Sequence, residues 1–156
     1  MRLTTLRTSA ALALTATVWT SGAALAGGHA EVEKITDLLR AYEAFGNSSN
    51  SDGMGSLYTE DAVLLPDRFD AYEGAEAIAA FYAFAFSALT LDLVFDIDPE
   101  DIVVSGDTAY AVTSSTGTRL IKASNETVPE INRELWVFEK VDDEWKIARY
   151  AFNQSE

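Results

Sequence analysis

The sequence predicts an α+β fold, with helices first and a mostly antiparallel sheet after them. Two observations carry that prediction. Apolar residues recur at helical spacing in the first half of the chain, and from Leu89 onward they recur at every second position. A third observation concerns organisation: no linker, internal repeat or low-complexity stretch divides residues 27–156, so one domain with its own core is expected.

The first helix is read from Val32, Ile35, Leu38, Leu39, Tyr42 and Phe45, with Glu and Lys on the opposite face. "GNSSNSDG" interrupts it, and a short helix is expected over Met54–Tyr58. "DAVLLP" is too short for a core helix and reads as a strand stopped by Pro66, because proline removes a ladder donor. After a turn at Gly74, "AEAIAAFYAFAF" reads as a second main helix, mostly buried. Leu89, Leu91, Leu93, Phe95 and Ile97 then alternate as a half-buried strand. "IVVSGDTAYAVTSSTGTRLI" reads as a hairpin turning at Gly106-Asp107, and "INRELWVFEKVDDEWKIARYAF" as another turning at Asp142-Asp143. Alternation puts Glu134 on one face with Trp136 and Phe138, and Arg133 on the other with Leu135 and Val137. On the last strand it sends Ala148, Tyr150 and Phe152 toward the interior and groups Arg149 with Trp145 and Ile147.

Residues 1–26 read as a secretory signal peptide. Arg2 and Arg7 form a positive start, an apolar stretch follows, and Ala24-Leu25-Ala26 offers the cleavage site. The expected destination is secreted, periplasmic, with residues 27–156 as the mature domain. The apolar part is shorter than the roughly 20 residues of a membrane span, so no membrane is expected for the mature form. With no cysteine, the fold has neither disulfides nor a cysteine-linked lipid. The full chain has 11 basic and 25 acidic residues, a net charge of −14; losing Arg2 and Arg7 leaves 9 basic residues and a charge of −16. Such a surface repels phosphate backbones, which argues against a nucleic-acid partner. The single histidine, His29, begins the mature chain, so a Ser-His-Asp triad and a histidine zinc site are both ruled out. Acid–base chemistry must come from Asp, Glu, Tyr or Lys. Asp61, Asp67, Asp70, Asp92, Asp96 and Asp98 are numerous, yet none sits in an Asp-x-Asp-x-Asp-Gly calcium loop. No metal and no cofactor are expected.

Three stretches resemble a known group: "LYTEDAVLLP" with "GAEAIAAFY", then "VSGDTAYAVTSSTGT", then "LWVFEKVDDEWKIARYAFNQS". Together with the first helix they are similar to the nuclear transport factor 2-like superfamily, and within it to the SnoaL-like and ketosteroid isomerase-like proteins. The likeness covers nearly all of residues 31–155, and its last stretch is the most specific. It implies a curved sheet wrapped around helices as a cone, an apolar pocket inside, and a homodimer formed through the outer sheet face. Residue by residue, it puts Tyr42 where the isomerases carry an oxyanion donor, and Tyr58 and Tyr82 where supporting tyrosines stand. Glu134 falls where a second, protonated donor belongs; a buried phenol and a neutral acid can together stabilise an enolate. The family's catalytic aspartate aligns with Pro66, which accepts no proton. Asp67 is one residue on, which in a strand means the opposite face, unless a loop turns it back. The resemblance thus implies Tyr42, Glu134 and Asp67 as catalytic candidates. It implies Tyr58, Tyr82, Trp136, Phe138, Tyr150 and Phe152 as pocket lining, Tyr150 replacing an acidic residue of many relatives. Three functions follow as expectations: binding of a small apolar ligand without changing it, isomerase-like proton transfer next to a carbonyl, or protein association through the sheet face, with which Leu135 and Val137 are compatible.

Overall fold

In the computed structural model, which describes residues 22–155, helix α1 (Gly22–Asn47) is followed by α2 (Ser51–Ser56), β1 (Tyr58–Leu65), β2 (Tyr72–Glu73) and α3 (Ala75–Ala88). The strands β3 (Leu89–Asp96), β4 (Ile102–Ser105), β5 (Thr108–Ile121), β6 (Glu126–Val141) and β7 (Glu144–Gln154) complete the chain. Most of the expected signal peptide lies outside the described residues. The fold is α+β, three helices against a curved sheet of seven strands in the order β2-β1-β7-β6-β5-β3, with β4 also paired to β5. Every pairing is antiparallel except β1 with β7, which makes the sheet mixed. The short helix falls earlier than its apolar residues suggest. The Asn50 side chain accepts the Gly53 N–H and starts it at Ser51, Leu57 ends it, and Tyr58 already belongs to β1.

Both expected hairpins form. Gly106 takes a positive φ at the first turn, and Asp142 and Asp143 at φ 49° and 65° make the second, the left-handed pair that matches strand twist. One alternation is corrected. Val137 pairs with Arg149 and Phe138 with Ile147, so Ala148 is an extra residue, a β-bulge. The bulge flips the phase: Trp145 and Ile147 are buried along with Tyr150, while Arg149 is exposed. Curvature has a second source at Gly117 of β5, where an added Cβ would overlap the Asp92 carbonyl oxygen of β3.

The helices fill the concave side. Ile35, Leu39 and Tyr42 of α1 and Ile78, Phe81 and Tyr82 of α3 are buried against Trp136, Phe138 and Ile147 of the sheet. Helix α1 also closes the free edge of β3, whose backbone would otherwise be open to pairing. Asn47 donates to the Leu93 carbonyl (2.7 Å) and accepts the Leu93 N–H (2.8 Å); Glu43 accepts the Phe95 N–H, and Arg40 donates to the Phe95 carbonyl.

The other end of α1 is tied to the last hairpin. Glu31 pairs with Lys140 at 2.7 Å and Lys34 at 2.9 Å and accepts the Trp145 indole N–H at 2.7 Å. Lys140 first, then Lys34 and Trp145, hold the Glu31 carboxyl down at about 2. A depressed carboxyl stabilises the fold fully above its ordinary value of 4.5 and loses that contribution as pH falls toward 2. Glu31→Gln is therefore expected to lower stability at pH 7 and leave it unchanged at pH 2, read as converging urea midpoints.

Candidate functional site

A cavity of about 380 Å³ opens between α1, α3 and the inner face of the sheet. Tyr42 comes to it from the apolar stripe of α1, Tyr82 from α3, and Tyr150 and Phe152 from β7 beyond the bulge. Phe81, Phe86, Leu91, Leu93 and Phe95 supply most of the remaining wall. Among the described residues, no three His, Cys, Asp or Glu side chains come together as metal ligands would.

The sequence candidates divide into two groups. Tyr42, Tyr82, Asp67, Tyr150 and Phe152 line the cavity, whereas Tyr58, Glu134, Trp136 and Phe138 are buried behind its wall. Trp136 forms the floor under the lining: its ring stacks on Tyr150 with centroids 3.6 Å apart and meets the edge of Tyr42 at 4.9 Å.

The three expected tyrosines do meet. The Tyr42 and Tyr82 hydroxyls are 2.6 Å apart, and Tyr58 is 3.2 Å from Tyr82. Burial pushes the Tyr82 phenol up to about 12, and it pushes Tyr42, Tyr58 and Tyr150 well above the ordinary phenol value. All are neutral at physiological pH, so the cluster offers hydrogens and stores no negative charge.

Glu134 is 2% exposed and sits one layer back from the cavity. Thr113 donates to its Oε2 at 2.7 Å and Ser115 to its Oε1 at 2.6 Å. Each hydroxyl is itself the acceptor of a group that can only donate there: the Trp136 indole N–H at 2.8 Å on Thr113, and the Asn132 amide at 3.2 Å on Ser115. Burial raises the Glu134 carboxyl above its ordinary value, and the two hydroxyls act against that rise. Both oxygens accept from hydroxyls, which ties Glu134 into the sheet's polar layer, and the residue is not among those lining the cavity.

Asp67 reaches the wall through the turn after Pro66. Pro66 is buried on the inner set of β1 with Ala62 and Leu64, and the Phe69 N–H closes the turn onto its carbonyl. Arg68 takes φ 63°, which turns the chain back and puts Asp67 on the cavity wall, 3.2 Å from the Arg68 guanidinium. Sequence reasoning missed a further polar group. Arg119 of β5 pairs with Glu130 of β6 at 2.9 Å, Gln154 donates to the same Glu130 oxygen at 2.9 Å, and Asn132 lies beside them on the wall. Glu130 and Asn132 share the phase of Glu134 on β6, and that parity was the available signal.

Residues 29–151 match the family described as the SnoaL-like domain. The chain belongs to the SnoaL-like domain family. Solved structures agree with the membership. A ketosteroid isomerase-like protein from Erwinia carotovora atroseptica is 26% identical over 81% of this chain and 97% of its own, with a TM-score of 0.76. An NTF2-like protein with a cystatin-like fold from Novosphingobium aromaticivorans is 21% identical, over 86% and 88%, at 0.69. A putative scytalone dehydratase from the same organism is 14% identical, over 81% and 85%, at 0.70. The last two show the SnoaL-like fold alone. Among curated proteins none matches the chain.

Proposed function

We propose that this SnoaL-like protein is exported and holds a small, neutral, largely apolar molecule in its cone without changing it. The carrying observation is the cavity: about 380 Å³, in the size range of small-molecule sites, walled by aromatic and aliphatic side chains, with the Tyr42 phenol, backed by Tyr82, to receive a carbonyl. Neutrality follows from the wall's charges, which are matched within the protein: Asp67 with Arg68, Glu130 with Arg119, Glu43 with Arg40. The resemblance to the isomerases aligns Pro66 with the position of their base.

One observation favours a second reading, an isomerase-like enzyme: Asp67 is on the wall after all. The likeness to a ketosteroid isomerase-like protein points the same way. The test is to mix the protein with androst-5-ene-3,17-dione and follow the conjugated enone by absorbance. Binding without turnover predicts that wild type is no faster than Asp67→Asn. A wild-type rate that drops about 100-fold in the variant, the scale of a lost general base, would establish the enzyme instead.

The outer sheet face supports a homodimer. Val112 is 53% and Leu135 50% exposed, and they pair directly across β5 and β6, with Tyr110 and Val103 extending the patch. Light scattering is expected to give a dimer mass for wild type and a monomer mass for Leu135→Glu, which would bury one new carboxylate from each chain in that face.

A further inference from the structure

One ion pair on the cavity wall differs from the others in its setting. Arg119 and Glu130 both line the cavity, and the Glu130 side chain keeps 9% of its surface against 33% for Arg119. At Asp67 the partner, Arg68, is 77% exposed; Arg40, the partner of Glu43, is half exposed and lies outside the lining. Water and salt screen those two pairs. Arg119 and Glu130 belong to a space walled mostly by aromatic and aliphatic side chains, where a charge acts at greater strength.

The strands bring this pair together. Arg119 of β5 and Glu130 of β6 are both on the inner face, two residues out of register: Glu130 is directly opposite Gly117, and Arg119 is opposite Val128. Gly117 has no side chain to meet Glu130, so the carboxylate takes its diagonal neighbour, which a long side chain can reach. Arg119 Nη1 and Gln154 Nε2 both come to Glu130 Oε2 at 2.9 Å. The result is a carboxylate and a guanidinium of zero net charge in one corner of the cavity. A charged ligand group arriving there loses its hydration, and whichever member of the pair attracts it, the other repels it. A hydroxyl meets neither obstacle, since it can donate to the carboxylate or accept from the guanidinium.

We propose that Glu130 and Arg119 determine the charge class of the ligand: together they admit a neutral, hydroxyl-bearing molecule and reject the same skeleton carrying a carboxylate or an ammonium group. Each residue acts by cancelling the field of the other. This rests on the reading of the cavity as a ligand site and names the residues that enforce its neutrality. Removing one member should therefore redirect the preference, with a sign set by the member that remains.

Three probes share the androst-4-en-3-one skeleton and differ at carbon 17: a 17β-hydroxyl, a 17β-carboxylic acid and a 17β-amine, the last two ionised at pH 7. Titration calorimetry on wild type is expected to place the hydroxy compound about tenfold or more above both charged ones. Glu130→Gln keeps the side-chain shape and leaves Arg119 uncompensated, so the acid should gain about tenfold relative to the hydroxy compound while the amine gains nothing. Arg119→Gln should do the reverse, favouring the amine. Asp61→Asn removes an exposed carboxylate from its pair with Arg149, outside the cavity lining, and should leave the wild-type ranking. It separates the local pair from the overall negative charge of the chain. A thermal melt reports the folding of each variant, and either pair variant decides the matter if the other does not fold. Equal affinities for the three compounds in wild type, an unchanged ranking in a folded pair variant, or the same gain for the acid in Asp61→Asn would overturn the role of the pair while leaving the ligand site standing. If wild type binds none of the three, the reading of the cavity as a site for molecules of this kind falls, and this inference with it.

Discussion

Replacing Trp136 by alanine is expected to destabilise the protein by about 3–5 kcal/mol, the range for removing a fully buried large aromatic. Trp136 has no exposed surface and joins four structures at once. It stacks on Tyr150, lies parallel to Phe138 at 9°, receives the edge of Tyr42, and donates to Thr113. Alanine would leave a void under the cavity floor and remove the donor that directs the Thr113 hydrogen to Glu134. Trp136→Phe keeps the stack and loses the indole N–H, so about 1–2 kcal/mol is expected for it. Urea unfolding reads both. A loss below 1 kcal/mol for the alanine variant would show that the floor repacks and that Trp136 does not organise the site.

The second large effect is on binding. Tyr42→Phe removes the hydroxyl nearest the proposed carbonyl and keeps the ring, so the fold should be nearly unchanged. Affinity for androst-4-ene-3,17-dione is expected to fall about 5- to 100-fold, equivalent to about 1–3 kcal/mol for a buried acceptor left without its donor. Tyr58 and Tyr82 stand behind Tyr42 in a chain of hydroxyls, each able to pass its hydrogen forward when an acceptor arrives. Because burial raises all three phenols well above their ordinary value, none loses its proton at ordinary pH. Affinity should accordingly be flat between pH 6 and 9 in wild type. A fall toward pH 9 would mean that one of the phenols ionises, contrary to its buried setting.

Much of the fold was legible because local rules decide it. The stripe on α1, the alternation of β3 and the Asp142-Asp143 turn each need only neighbouring residues, and each appears where the pattern put it. The bulge at Ala148 was not legible. "WKIARYAF" alternates acceptably in either phase, and only pairing with β6 shows the extra residue. The parallel contact of β1 with β7 joins segments more than eighty residues apart, for which the sequence holds no local signal. At the site, the tyrosines were found through a family resemblance and their meeting is a matter of geometry. Glu134 was marked correctly as a buried acid on the inner face, but its hydroxyl partners on β5 place it behind the wall. Asn132 escaped notice because an asparagine on a strand has no distinctive pattern; only the pairing of β6 with its neighbours brings it to the wall.

The central claim is that the cone interior is the ligand site. Ala85 of α3 lines the cavity and is small, so Ala85→Trp should fill much of that space with the helix intact. The direct measurement is calorimetric titration of wild type and Ala85→Trp with 17β-hydroxyandrost-4-en-3-one, alongside a thermal melt of each. The account predicts one ligand per chain for wild type and no measurable binding for the filled variant, with cooperative unfolding in both. Binding of equal strength in a folded Ala85→Trp would place the ligand outside the cone and contradict the account.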